Sequence, residues 1–185
     1  MYIANATGCS SIWGGSAPST PYTVNKDGKG PAWANSLFED NAEYGYGMFL
    51  AQSTIRNRTI AKVLELSKTT KAAALKKACE EYLETVDDGE KNSAATDNLI
   101  AALKKTKNKA TEEILKDADY LRKKSMWIFG GDGWAYDIGF SGVDHVIAQG
   151  EDVNIFVFDT EVYSNTGGQS SKSTPTGAIA QFAAA

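Results

Sequence analysis

Apolar and polar positions along the chain follow two rhythms. Toward the ends the apolar runs are short and β-prone: Tyr2-Ile3-Ala4, Met126-Trp127-Ile128-Phe129 and Val153-Asn154-Ile155-Phe156-Val157-Phe158. The last is apolar enough for a strand buried on both faces. Between these runs, from about 48 to 86 and from about 93 to 124, apolar residues recur at helical spacing, with Asp87-Asp88-Gly89 as the stop. Ile55, Val63, Leu64, Leu75, Ala78 and Tyr82 are the expected inward residues of the first stretch. Leu99, Ile100, Leu103, Ile114, Leu115 and Leu121 form the stripe of the second. A further amphipathic stretch, 134–149, offers Ile138, Val143, Val146 and Ile147 to a core.

Residues 126–168 carry the organisation. They read strand, glycine turn (Gly130-Gly131-Asp132-Gly133), helix, strand and polar loop, which is one βαβ unit with both loops at the carboxyl edge of a parallel sheet. Tyr2-Ile3-Ala4 runs into Thr7-Gly8-Cys9-Ser10-Ser11, expected as a third loop on that edge. Residues 13–33 are rich in Gly, Pro, Ser and Thr without periodicity, the mark of a long ordered loop. Ser36-Leu37-Phe38-Glu39 has capping-box spacing, and a helix starting there is expected to break at Gly45-Tyr46-Gly47. Those glycines either admit a ligand or allow close packing. The small residues of 178–185 predict a terminal helix.

The turn after the first strand has the chemistry of a phosphate and metal site. Glycines flanking Asp132 let backbone approach an anion, and the helix behind them offers free N–H groups. Asp132 supplies a hard carboxylate oxygen and Thr160 a hydroxyl from the neighbouring strand end, a donor set suited to Mg²⁺ beside a phosphate. A dinucleotide fingerprint fails, because Gly131-x-Gly133 is followed by Trp134 and Ala135, with Tyr136 where a third glycine is needed. His145, the one histidine, excludes Ser-His-Asp chemistry and histidine-based metal sites, and is read as structural.

Composition changes little: 42% hydrophobic and 23% charged residues are ordinary for a globular chain. The absence of a membrane-length apolar run and of a basic, apolar leader predicts a cytoplasmic protein. Charge is asymmetric, however. Of 19 basic residues, 16 lie between Arg56 and Lys124, against 12 of the 23 acids. Bases and acids alternate there at helical spacing without interleaved aromatics, a solvated face and not a nucleic-acid site. Two cysteines give no disulfide framework; Cys79 reads as a small helix-core residue.

At this point a family resemblance emerges. Gly131-Asp132-Gly133 followed, 25 residues later, by Asp159-Thr160 resembles the Gly-Asp-Gly to Asn-Asn motif of thiamine-diphosphate enzymes. The runs 160–177 and 5–15 are similar to the thiamine-diphosphate domain of pyruvate:ferredoxin (flavodoxin) oxidoreductases, a branch in which Asp-Thr replaces Asn-Asn. The resemblance covers roughly 1–50 and 126–185. It implies a truncated thiamine-diphosphate-binding α/β fold, a doubly wound parallel sheet with a helical insert at about 48–124, cut from a larger polypeptide that is oligomeric when complete. It implies Mg²⁺ on Asp132, Thr160 and the Val162 carbonyl. The diphosphate would be wrapped by the backbone of Gly131, Asp132, Gly133 and Trp134 and by the loop Thr160, Glu161, Val162, Tyr163, Ser164 and Asn165. Asn165 would lie near substrate, and Cys9 would be one of four ligands of a [4Fe–4S] cluster in the complete enzyme. By that likeness the reaction is oxidative decarboxylation of pyruvate to acetyl-coenzyme A and CO₂, with electrons passed to ferredoxin or flavodoxin; the piece alone is expected to be inactive. Read from the residues alone, Asn165 is better explained as a turn residue before Thr166-Gly167-Gly168. A Mg²⁺-dependent phosphate-binding module and a non-oxidative thiamine-dependent decarboxylase stay open beside the oxidoreductase.

Overall fold

The computed structural model describes residues 1–14, 24–26, 28–37, 39–181, 183 and 184. It divides into two units, residues 1–49 with 125–185 and residues 50–124.

The first unit is built on four parallel strands, β1 (Tyr2–Ala6), β2 (Ala32–Ser36), β3 (Met126–Gly131) and β4 (Val153–Phe158), in the order β2-β1-β3-β4. A short helix α1 (Cys9–Gly14) follows β1, and helix α7 (Phe140–Ala148) lies between β3 and β4. The chain leaves β1 toward one edge of the sheet and leaves β3 toward the other. Right-handed crossovers running in opposite directions put their helices on opposite faces, the doubly wound arrangement. The packing agrees. Ala4, Ala6, Met126 and Ile128 share a core with Ala42, Phe49, Val143 and Val146, whereas Asn5, pointing the other way, bonds to Ser10 and Ser11 of α1. Asn5 is 1% exposed, yet each end of its amide is used: Nδ2 donates to Ser11 Oγ (3.2 Å) and Asn35 Oδ1 (3.1 Å), and Oδ1 accepts from Ser10 Oγ (2.6 Å). A buried amide satisfied in this way fixes β1, β2 and α1 against one another.

Several expectations need correction. Residues 32–36, placed at the end of a loop and the start of a helix, form β2 instead; Ser36 closes a strand and its hydroxyl bonds Asp40, so there is no capping box at Ser36. Residues 15–23 and 27 of the expected loop, and Phe38, lie outside the described residues. Helix α2 runs unbroken over Asn41–Thr69, through Gly45 and Gly47. At Gly45 the reason is close packing: an added Cβ would stand 2.6 Å from Ile128 Cγ1 and 3.1 Å from Ala4 Cβ, so only glycine lets the helix reach the sheet. The stretch 134–149 is not one α-helix. A π-helical turn at Gly133–Ile138 precedes α7, and Ile138 and Ile147 are exposed while Val143 and Val146 are buried. Strand β4 is not buried on both faces. Val153, Ile155 and Val157 pack on the core, but Phe156 is 47% exposed, in tilted and edge-on contact with neighbouring rings (Phe129–Phe156 centroids 5.6 Å, Phe156–Phe158 5.0 Å). The chain end is extended: β7 (Ile179–Ala180) pairs antiparallel with β8 (Ala183–Ala184), and residues 182 and 185 lie outside the description.

The second unit holds the rest of α2 with α3 (Ala73–Glu84), α4 (Lys91–Lys105), α5 (Lys109–Lys116) and α6 (Ala118–Leu121). Its core is Val63, Leu66, Leu75, Cys79, Tyr82, Leu99, Leu103, Ile114 and Leu121; Leu64, expected inward, is exposed. Burial, with some help from the Glu80 charge, raises the Cys79 thiol to about 11. Tyr82 donates to the Leu121 carbonyl (2.8 Å), and burial raises its phenol to about 12 against the opposing pull of Arg56. Helix α5 starts on a reciprocal cap between Asn108 and Thr111. Basic residues on the outside pair with acids one turn away, as in Lys77–Glu81 (3.7 Å). Among the described residues no helix is long and apolar enough to cross a membrane.

Candidate functional site

Strands β1 and β3 are neighbours, and the chain departs from them in opposite directions, so their carboxyl ends open the crevice where ligands of open α/β sheets bind. Three loops meet there: Thr7-Gly8-Cys9 after β1, Asp132 after β3, and Asp159-Thr160 after β4. The register sets β3's last residue, Gly131, beside Phe158, so Asp132 and Thr160 leave adjacent strands within one residue of the same level and the Asp132 side chain reaches Thr160.

Asp132 is fully buried. Its Oδ1 accepts from the Thr160 amide (3.1 Å) and lies 3.0 Å from Thr160 Oγ1. That hydroxyl is 2.9 Å from the Val162 carbonyl and 2.8 Å from Ser164 Oγ. A carboxylate, a hydroxyl and a carbonyl therefore converge, and the one proton of Thr160 can serve only one of the two acceptors at a time. Adjacent oxygens of an octahedral Mg²⁺ held at about 2.0–2.1 Å are about 2.9 Å apart. The spacings around Thr160 Oγ1 match that separation, so these three groups fit a small hard cation. The other carboxylate oxygen, Oδ2, is taken by the Ser171 hydroxyl and by Ser173 Oγ (3.0 Å).

The loop after β4 is locked in shape. Glu161 holds a left-handed backbone (φ 63°), uncommon outside glycine, with its carbonyl accepting from Thr174 Oγ1. β5 (Val162–Tyr163) then pairs antiparallel with β6 (Gln169–Ser170) to make a small hairpin. Tyr163 lies against Gly133, its hydroxyl 3.4 Å from the Gly133 carbonyl. Burial first, then the Asp137 and Asp132 carboxylates, raises this phenol to about 12, so it stays protonated at neutral pH.

Cys9 is buried against Gly131. Its Sγ accepts from the Ser164 amide (3.3 Å) and lies 3.7 Å from the Val162 carbonyl and 3.8 Å from Asn165 Oδ1. With Thr7, Gly8, Tyr163 and Asn165 it lines the crevice between the two strand ends. Asn165 itself is exposed. Trp134 is 2% exposed, its ring seated on Gly130 and Gly139, so only its backbone could meet a ligand. His145 is exposed on α7, edge-on to Tyr46 (6.4 Å), away from these groups in the described contacts. Sequence reasoning passed over Ser171 and Ser173, which sit inside the quoted run 160–177 and bind the central carboxylate directly. Their signal was available, since polar residues in a loop returning to a buried aspartate are its natural donors.

No family model matches the chain. Curated relatives do. A pyruvate:ferredoxin oxidoreductase of Moorella thermoacetica is 55% identical over 191 residues, and a pyruvate-flavodoxin oxidoreductase of Klebsiella pneumoniae is 56% identical over 186, each alignment covering 100% of this chain. The chain is homologous throughout to a segment of the pyruvate:ferredoxin (flavodoxin) oxidoreductases. It spans 16% of the length of those two oxidoreductases. A pyruvate dehydrogenase [NADP(+)] of Cryptosporidium parvum is 46% identical over 220 residues, covering 99% of this chain and 11% of that protein. The oxidoreductase relationship extends across the helical unit, beyond the two ends in which motifs are recognisable.

Proposed function

We propose that this chain carries the thiamine-diphosphate and Mg²⁺ anchor of a pyruvate oxidoreductase. The observation that carries the reading is that Thr160 Oγ1 lies 3.0 Å from Asp132 Oδ1 and 2.9 Å from the Val162 carbonyl, on the sheet edge where α/β ligands bind. The pyruvate oxidoreductases named above, similar over the whole chain, supply the reaction class and favour the oxidative over the non-oxidative alternative. Thiamine diphosphate, when bound, supplies the carbanion chemistry that decarboxylates a 2-oxoacid.

The chain's own residues bind and orient. Asp132, Thr160 and Val162 would hold the cation, and Ser164 Oγ, 2.8 Å from Thr160 Oγ1, would be available to accept the Thr160 proton. The backbone at 131–134 and 160–165 wraps the diphosphate. Tyr163, protonated, keeps its hydroxyl bonded to the Gly133 carbonyl and closes the wall of the crevice. Asn165, beside Cys9, is placed to contact substrate. The described residues bring one cysteine sulfur, that of Cys9, to this site. A [4Fe–4S] cluster needs four ligands, so this chain does not by itself fit the cluster and no step is derived through it. Pyruvate, coenzyme A, and ferredoxin or flavodoxin belong to the proposal as partners of the whole protein.

The test is calorimetric titration of the complete enzyme with thiamine diphosphate, with and without Mg²⁺, on the wild type and Asp132→Asn. The asparagine is isosteric and can meet both serine hydroxyls, so the fold should survive. Losing an ionised metal ligand should weaken Mg²⁺-dependent binding by more than the about 10–100-fold typical of an outer-shell partner. At a hundredfold excess over Kd, binding should stabilise the wild type alone by about 2.7 kcal/mol. Equal cofactor affinity in the two proteins would refute the metal assignment. Tight binding of inorganic pyrophosphate with no preference for thiamine diphosphate would favour the simple phosphate-binding module.

A further inference from the structure

The hairpin β5–β6 has two arms, and each grips a different oxygen of one carboxylate. The arm before it carries Thr160, whose amide and hydroxyl meet Asp132 Oδ1; the arm after it carries Ser171 and Ser173, which meet Asp132 Oδ2. Ser171 is 9% exposed and Asp132 fully buried, so the Ser171 bond is shielded from water, while Ser173 is half-buried. The serine arm is itself fixed: Ser171 Oγ lies 3.0 Å from Ser173 Oγ and accepts from the Ser173 amide (3.2 Å), and the Ser171 amide donates to Thr174 Oγ1 (2.9 Å).

We propose that Ser171 and Ser173 are positioning residues that hold Asp132 as a one-oxygen ligand and so set the metal selectivity of the site; the inference rests on the metal reading above. With Oδ2 occupied by two hydroxyl donors, only Oδ1 faces the cation. Mg²⁺ takes six oxygens in strict octahedral geometry and is suited by a one-oxygen carboxylate, whereas Ca²⁺ takes six to eight at 2.3–2.6 Å and gains from two-oxygen carboxylates. Serine hydroxyls on the far oxygen therefore favour the smaller ion. Outer-shell partners of this kind fix ligand orientation, and their loss costs about 10–100-fold in metal affinity.

The experiment measures Mg²⁺ and Ca²⁺ dissociation constants of the complete enzyme at saturating thiamine diphosphate, without reference to turnover. Ser171→Ala/Ser173→Ala should lose about 10–100-fold in Mg²⁺ affinity. Its Ca²⁺ affinity should hold or rise, so the preference between the ions narrows by at least about tenfold. The infrared splitting of the carboxylate stretches should shrink in the Ca²⁺ form, as Asp132 becomes bidentate. Ser173→Thr, which keeps the hydroxyl at a half-buried position, should retain the wild-type preference. The single variant Ser173→Ala, which leaves Ser171 in place, should move in the same direction by a smaller factor and stands in if the double variant does not fold. Equal weakening for both ions, or none, overturns the inference while leaving the anchor intact. A wild type with no Mg²⁺-dependent binding overturns the functional reading and this one together.

Discussion

Replacing Gly131 by alanine tests whether the ends of β1 and β3 are packed as tightly as the site requires. An added Cβ at Gly131 would stand 2.4 Å from Cys9 Cβ and 3.0 Å from its Sγ. Carbon atoms rest at about 3.5–4.0 Å, so one of the two residues must retreat by about 1.1–1.6 Å. Neither is free to do so. Gly131, the last residue of β3, is paired with Phe158 of β4, and Cys9 is bonded to the Ser164 amide. Overpacking of a fixed core costs about 1–3 kcal/mol, and the upper half of that range is expected here. All four tryptophans, at positions 13, 33, 127 and 134, lie in the sheet unit, so their fluorescence during urea unfolding reports that unit without the helices of 50–124. Cys9→Gly removes the opposing atoms, so the double variant should regain about 1 kcal/mol or more relative to the summed single changes. A Gly131→Ala protein with an unchanged unfolding midpoint, or a double variant with purely additive effects, would refute the argument.

Two further outcomes concern the helical unit, followed by far-ultraviolet circular dichroism. Cys79 and Tyr82 bind their protons more tightly when folded, at about 11 and about 12, so the unfolded chain deprotonates first as pH rises and stability falls. Between pH 9 and 11 the buried thiol alone should remove about 1.9 kcal/mol, and constant stability across that window would show that these groups are not sequestered. Asn108→Ala opens the reciprocal cap with Thr111 and should cost about 1 kcal/mol; an unshifted urea midpoint would mean that α5 is held by packing alone.

How far the sequence revealed the molecule depended on whether a signal was local. Val153–Phe158 was read with its correct bounds, because six β-prone residues between Gly150 and Asp159 leave few alternatives. Asp132 and Thr160 were legible as a pair, since a βαβ unit forces successive strand ends onto one edge. Strand β2 was not. Ala-Trp-Ala-Asn-Ser has weak β propensity, and it is a strand because β1 offers it a partner in register from Tyr2–Ala32 to Ala6–Ser36. The unbroken passage of α2 through Gly45 was equally hidden, since propensity favours a break and only the approach to Ile128 explains the glycine. The π-helical turn after Asp132 changes the period of the apolar pattern without changing its composition, so Ile138 was assigned to the wrong face. Ser171 and Ser173 carry a weaker signal: polar residues in a returning loop suit a buried aspartate, but which of them reach it depends on a hairpin of two-residue strands.

The pairing of β1 with β3 joins residues 124 positions apart, from Tyr2 to Met126. Bringing such distant segments together is slow, because loop entropy must be spent before any contact repays it. Asp132, Thr160, Val162 and Ser171 all come later in the chain than that pairing, and their contacts draw the ends of β3 and β4 and the hairpin together. A ribosome must therefore release most of this segment before these side chains can meet. The arrangement around Asp132 is a late product of folding, and a ligand that recognised it would select finished molecules from unfinished ones.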